Sequence, residues 1–308
     1  MGESQQKSRL LIPKNKVLRR LSYTFLFLLI TLPAQAGVTR IETISTGTFS
    51  SNYNKLIAGG ESRDVTIPIP VYIIHHDQDI ILFDTGLNEN FKNDNSRWWL
   101  DRLLQPLLPE NFKPEQSVIR HLRAQGITHV KYIILSHTHF DHASGLVDFP
   151  DTPVLINKDE WEGSRGTRII RRLLGFMKSS LDPIKNRIQW VTYQSTSDIE
   201  PFTEAHDIFH DGSLLLISTP GHTPGQQSLL VTLESGKKYL LTGDAVWISE
   251  GYERPAPKSF LVRHIEENNH LAWESTQKIH EFHERHPEVQ VVPGHDLEVT
   301  QKMILGVY

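Results

Sequence analysis

The sequence predicts an α/β domain, and three observations predict it. Short apolar runs of strand length alternate with segments of helical period. Several of those runs end in a turn that carries a histidine or an aspartate. A chain of 308 residues, less a leader of 36, suits one domain with a large core.

Taken in order, the first 36 residues read as an export signal. Lys14, Lys16, Arg19 and Arg20 form a basic stretch, residues 21–32 an apolar run, and Ala34-Gln35-Ala36 a small-residue cleavage site. That run is short against the ~20 residues a membrane span needs, so cleavage is favoured over a retained anchor. The expected divisions are a signal peptide at 1–36 and one catalytic domain at 37–308, exported to the periplasm or secreted. Strands at 70–74 and 80–83 precede a helix at 114–125, which Gly126 ends. Strand 131–135 follows, then strands near 214–218, 227–233 and 238–242. A long helix at about 265–285 leads into a last strand at 289–292.

Some segments invite stronger readings than they support. Trp98, Trp99, Leu100, Leu103, Leu104, Leu107 and Leu108 are spaced as an apolar helical face, read as core packing ahead of an acyl-chain lid or a homodimer face. Residues 163–181, with Arg165, Arg168, Arg171 and Arg172, read as an amphipathic surface helix. The series His280, His283, His286 reads as the solvent face of the long helix, and His75-His76 as a hairpin turn.

The chemistry gathers at strand ends. Ser136-His137-Thr138-His139-Phe140-Asp141-His142 puts four metal-competent side chains within six residues, straight after Tyr132-Ile133-Ile134-Leu135. If that run is a strand, His137 and His139 can turn toward one point while Asp141 and His142 face a second one. Imidazole and carboxylate suit zinc and other first-row divalent ions. His222 lies in a Pro-Gly turn after the run 214–217, Asp244 in the Gly243-Asp244 step after 239–242, and His295 in Pro293-Gly294-His295 after 289–292. A rigid strand edge can aim ligands from each of these loops.

The pattern H-x-H-x-D-H followed by a separate His, Asp and His resembles the metallo-β-lactamase superfamily, as does the turn Asp84-Thr85-Gly86. The resemblance runs from about Gly37 to the end. It implies a four-layer αβ/βα sandwich, an α/β fold of two mixed sheets covered by helices. It also implies a first metal on His137, His139 and His222, a second on Asp141, His142 and His295, Asp244 bridging them, and Asp84 bracing the ligands from behind. Within the superfamily, "IPIPVYIIHHDQDIILFDTGLNE", "HTHFDHASGL", "STPGHTPGQQSLLV" and "LLTGDAVW" are most similar to the N-acyl-homoserine lactonases. Those enzymes usually carry a Tyr three residues after the bridging Asp, where this chain has Trp247, whose indole N–H donates from a different place.

The implied activity is a zinc-dependent hydrolase with two Zn²⁺, or other divalent first-row metals, roughly 3.5–4 Å apart. A hydroxide bridging them would open a lactone ring, that of an N-acyl-homoserine lactone, the small-molecule signal that such quorum-quenching enzymes destroy. Asp141 is the candidate proton shuttle and Trp247 the candidate hydrogen-bond donor to substrate. The alternatives are another dinuclear-zinc hydrolase acting on a β-lactam, ester or thioester, and a mononuclear iron dioxygenase. The carboxylate at Asp244 argues against the β-lactam, and the intact second ligand set against the iron enzyme. A non-catalytic binding protein fits worst, because such relatives typically lose ligands.

Composition agrees. The leader takes six of the 32 basic residues and one of the 36 acidic ones, which moves the formal charge from −4 to −9 and disfavours a nucleic-acid partner. With no cysteine there is no disulfide, no lipid-bearing cysteine and no thiolate ligand.

Overall fold

The structure, a computed structural model, describes residues 37–91, 111–164 and 181–308. The leader, the apolar run 98–108 and most of the basic segment 163–181 lie outside those residues. Strands β1 (Val38–Asn52), β2 (Asp64–His76), β3 (Asp79–Phe83), β4 (Tyr132–Ile134), β5 (Val154–Ile156) and β6 (Ile188–Trp190) form one sheet in that order. Its first two pairings are antiparallel and the remaining three parallel. Strands β7 (Gln194–Ser195), β8 (Glu204–Asp207), β9 (Leu214–Ser218), β10 (Gln227–Thr232), β11 (Lys238–Leu241) and β12 (Val289–Val292) form the second, with β11–β12 its parallel pair. Both sheets are therefore mixed.

Each central strand is apolar at successive positions because both of its faces are covered. Tyr72, Ile74, Phe83 and Ile134 of the first sheet meet Leu216, Leu229, Leu241 and Val292 of the second in one buried cluster. The alternate residues Ile73, Leu82 and Ile133 point outward and pack under Val118 and Leu122 of helix α1 (Val118–Ala124). On the other outer side, Leu230, Leu240 and Val291 pack under Ile279 and Phe282 of a long helix, Asn269–Arg285. The layer order is helix, sheet, sheet, helix, as the resemblance implies.

Local chemistry moves some boundaries. The expected helix at 114–125 is broken: a 3-10 turn at Pro114–Gln116 is followed by Ser117 at ψ 146°, and α1 starts only at Val118. The long helix begins at Asn269, not 265, because the Asn268 side chain accepts from the main-chain N–H of His270 and Leu271. The strand β1, rich in Thr and Ser, carries little apolar signal, yet it pairs with β2 along most of its length.

Two histidine readings are corrected. His75 and His76 end strand β2, and the turn is Asp77-Gln78. His76 is buried, stacked on Phe209 at 3.9 Å between ring centroids, and its Nε2 lies 2.8 Å from Asp211. His280, His283 and His286 are half-buried, not a free solvent face. His280 donates to the Tyr252 carbonyl, His283 packs on the Tyr252 ring and His286 donates to the Glu200 carbonyl.

Candidate metal centre

Five strand ends meet at one edge of the sandwich. Asp84 follows β3, His137 follows β4, His222 follows β9, Asp244 follows β11 and His295 follows β12. The run after β4 closes into one helical turn, α2 (Phe140–Ala143), which carries Asp141 and His142 around the corner. The Gln227 side chain and main chain at the start of β10 donate to the carbonyls of Leu135 and Ser136 at 2.8 and 3.0 Å, tying the motif of one sheet to the other.

All seven sequence-predicted ligands come together. His137, His139, His222 and Asp244 offer ligand atoms within 4.8 Å of one another, and Asp141, His142 and His295 form a second such group. Asp244 faces both. Its Oδ2 lies 3.1 Å from His222 Nε2 and 3.9 Å from His137 Nε2. Its Oδ1 lies 3.2 Å from His142 Nε2 and 3.0 Å from His295 Nε2. Asp141 Oδ2 sits 3.7 and 3.8 Å from the same two nitrogens.

The donor set fits divalent cations. Among the described residues, His137 Nε2, His142 Nε2 and Asp244 Oδ1 are buried atoms without a hydrogen-bond partner, an expensive arrangement for polar groups unless a cation takes their lone pairs. Groups behind the ligands turn those lone pairs inward. His142 Nδ1 donates to Asp84 Oδ2 at 2.7 Å, His222 Nδ1 to Glu266 at 3.2 Å and His295 Nδ1 to the Pro68 carbonyl at 2.8 Å. Each bond holds the proton on Nδ1 and leaves Nε2 free to ligate. Ser136 Oγ donates to Asp84 and so can accept from His137 Nδ1, 3.0 Å away. His139 differs, presenting Nδ1 to the site 2.9 Å from His222 Nε2.

Backbone constraints are tight here. Asp84 holds φ at 63°, a left-handed conformation that Asp tolerates better than most residues. A Cβ at position 294 would lie 2.5 Å from the Gly243 carbonyl and 2.9 Å from Asp244 Oδ1, so Gly294 is needed for the approach of the last ligand loop. Glu160, buried, accepts from Thr138 N and Oγ1 at 2.8 and 2.6 Å and from Gly225 N at 3.1 Å, clamping the first motif to the loop of His222.

Electrostatics prepare the site for cations. Burial, reinforced by His142, holds His137 well below the ordinary imidazole range, and burial with His222 does the same for His139. Burial also opposes ionisation of Asp244, but His295, His142 and His222 outweigh it and hold the carboxyl well below its usual range. For His142 burial is outweighed by Asp244, Asp141 and Asp84, which raise it well above the ordinary value. A cation seated among these carboxylates would replace that proton.

A cavity of about 310 Å³ opens onto the centre. Phe49, Ile67, Phe140 and Ile265 supply apolar wall, while His139, Asp141, His222, Asp244 and His295 supply the polar end. Trp247 lines it too, with its ring edge-on to His222 and His295 and its Nε1 buried without a partner among the described residues.

This fold and ligand set define a class: the chain belongs to the metallo-beta-lactamase superfamily, whose sequence profile matches residues 66–295. Among its relatives is the N-acyl homoserine lactonase AttM of Rhizobium radiobacter, 29% identical over 262 residues that cover 83% of this chain and 93% of that one. An N-acyl homoserine lactonase from a Bacillus species is 27% identical over 250 residues, 80% of this chain and 88% of that one. The fold also matches an N-acyl homoserine lactone hydrolase solved with the product N-hexanoyl-L-homoserine at its catalytic metal center. That match has a TM-score of 0.65 and 23% identity over 86% of this chain and 96% of the other.

Sequence reasoning missed Glu160, Glu266 and Lys258, whose Nζ donates to Glu266 and to the Asp244 main-chain carbonyl, each at 2.7 Å. Glu266 sits between Ile265 and Glu267, in a stretch whose pattern reads as exposed helix. The capping signal of Asn268, which places Glu266 in the loop before the helix, was the available clue.

Proposed function

We propose that this chain is a metal-dependent hydrolase that opens the lactone ring of N-acyl-homoserine lactones, with two zinc ions as its cofactor. The observation that carries the reading is Asp244, whose two carboxylate oxygens face two separate groups of ligand atoms at the polar end of an apolar-walled cavity. His137, His139 and His222 would hold one ion, Asp141, His142 and His295 the other, with Asp244 shared. Ions held there would supply a Lewis acid and a water that ionises near neutral pH.

The chain's own groups do the rest. The acyl chain lies along Phe49, Ile67, Phe140 and Ile265, leaving the ring against the histidines. The Trp247 indole N–H donates to the lactone carbonyl oxygen as charge develops there, in the role that the relatives' Tyr would fill. Asp141 holds the attacking water by one hydrogen, then carries that proton to the ring oxygen as the acyl–oxygen bond breaks. The products are an alcohol and a carboxylate, so each turnover releases one proton.

Proton release by purified chain 37–308 tests this, zinc-loaded against chelated, on short- and long-chain N-acyl-homoserine lactones. A metal-dependent kcat/KM of about 10⁴ M⁻¹s⁻¹ or above is expected. Two bound ions without ring opening would discard the lactone and point to esters or β-lactams; one bound iron would favour the oxygenase. The proposal extends to export through residues 1–36, read by cell fractionation of the full chain. A homodimer enters only through the apolar run 98–108, and sedimentation reads it.

A further inference from the structure

One stretch of chain, residues 258–267, touches the centre from outside the ligand set. Glu266 is buried, and its Oε1 accepts from Lys258 Nζ at 2.7 Å and from His222 Nδ1 at 3.2 Å. Lys258 Nζ also donates to the main-chain carbonyl of Asp244 at 2.7 Å and lies 5.3 Å from the centre of the Trp247 ring. The end of this stretch and the residue after it grip the main chain around His222: Glu267 N donates to the His222 carbonyl at 3.0 Å, and Asn268 N to the Gly221 carbonyl at 2.9 Å. Ile265 and Glu267 meanwhile line the substrate cavity.

We propose that Glu266 and Lys258 are a charge-balanced positioning pair that sets the strength of the cation site built on His137, His139 and His222, separately from the site on Asp141, His142 and His295. This rests on the two-cation reading above. A carboxylate drawing on Nδ1–H makes Nε2 of the same imidazole a stronger donor to a cation. A buried carboxylate facing only an imidazole is costly, and Lys258 offsets that cost. Lys258 also restrains the effect, because its charge draws Glu266 away from His222 and adds positive field beside the cation. The two residues thus act with opposite sign on one site. Among the described residues neither of them touches Asp141, His142 or His295 directly; Glu266 meets the first ligand group through His222, and Lys258 reaches the second only by way of Asp244 and the Trp247 ring.

The opposite signs supply the test. Metal-free protein is loaded with ¹¹³Cd²⁺, and the two resonances are followed under chelator competition. Glu266→Gln keeps the side-chain volume and removes the charge. It is expected to weaken one cadmium site by about 10–100-fold and leave the other unchanged. Lys258→Gln keeps a donor for the Asp244 carbonyl and removes the opposing charge, so the same site binds cadmium more tightly. If Glu266→Gln does not fold, Glu266→Asp, which withdraws the charge by one methylene, must show the same selective weakening. Unchanged affinities in the Glu266 variant, or equal weakening of both sites in both variants, would overturn the pair as a positioning device and leave a mere scaffold contact. A single resonance in the unaltered protein would instead remove the two-cation reading, and this inference with it.

Discussion

Asp84→Asn separates the charge behind His142 from everything else Asp84 does. The carboxylate is 2% exposed and accepts three bonds: Ser136 N at 2.7 Å, Ser136 Oγ at 2.8 Å and His142 Nδ1 at 2.7 Å. Asn occupies the same volume and tolerates φ of 63°, so backbone strain does not change. Its one carbonyl oxygen can keep the Ser136 N–H, but its amide then points N–H groups at His142. The imidazole must move its proton to Nε2, the atom that faces Asp244, and is lost as a ligand in that form. One charge-assisted hydrogen bond is forfeited, about 1.5–3 kcal/mol. At 1.36 kcal/mol per decade that is roughly a 10–100-fold loss of affinity for the cation nearest His142. Equilibrium competition with a chromophoric chelator, monitored with zinc, reads the two affinities. If both stay within threefold of the unaltered protein, carboxylate control of the His142 tautomer is wrong.

Other consequences are open to direct measurement. Trp247→Phe keeps an aromatic ring against His222 and His295 but removes the N–H; kcat on lactone should fall by roughly 10²-fold with metal content unchanged, and an unaltered kcat would retire Trp247 as a donor. Phe282→Ala empties a fully buried site between the long helix and the second sheet, so urea melts should show a loss of about 3–5 kcal/mol while zinc content per folded chain holds. Asp211, where burial is outweighed by hydrogen bonds from Ser213 and by His76, titrates below the usual 3.8. Its stabilising effect is present above that value and lost as pH falls below it, so Asp211→Asn should lower the urea midpoint at pH 7 and converge with the parent in acid.

Much of this centre was legible because the chemistry and the local structure coincide in the chain. His137 to His142 are contiguous, and His222, Asp244 and His295 each follow an apolar run that proved to be β9, β11 or β12. Contacts that join distant stretches left no such trace. Glu160 reaches Thr138 across 22 residues and Glu266 reaches His222 across 44, and neither carries a local pattern that distinguishes it from a surface acid. Strand β1 escaped for a different reason: Thr and Ser pair well in a half-covered strand but give no apolar alternation. Its placement matters to function, since Phe49 of β1 and Ile67 of β2 form one wall of the cavity.

Neither group of ligands belongs to a single half of the protein. His137 and His139 come from the end of β4 in one sheet, while His222 and Asp244 come from β9 and β11 in the other; Asp141 and His142 likewise face His295 from β12. Each cation held there therefore staples the two sheets, and the halves cannot part without letting it go. Opening of the sandwich would then require departure of the ions, which adds their binding energy to its cost. Amide exchange along β4 and β11 should then slow when divalent cations are loaded and speed up on chelation, and exchange that ignores them would mean that the two sheets hold together without that staple.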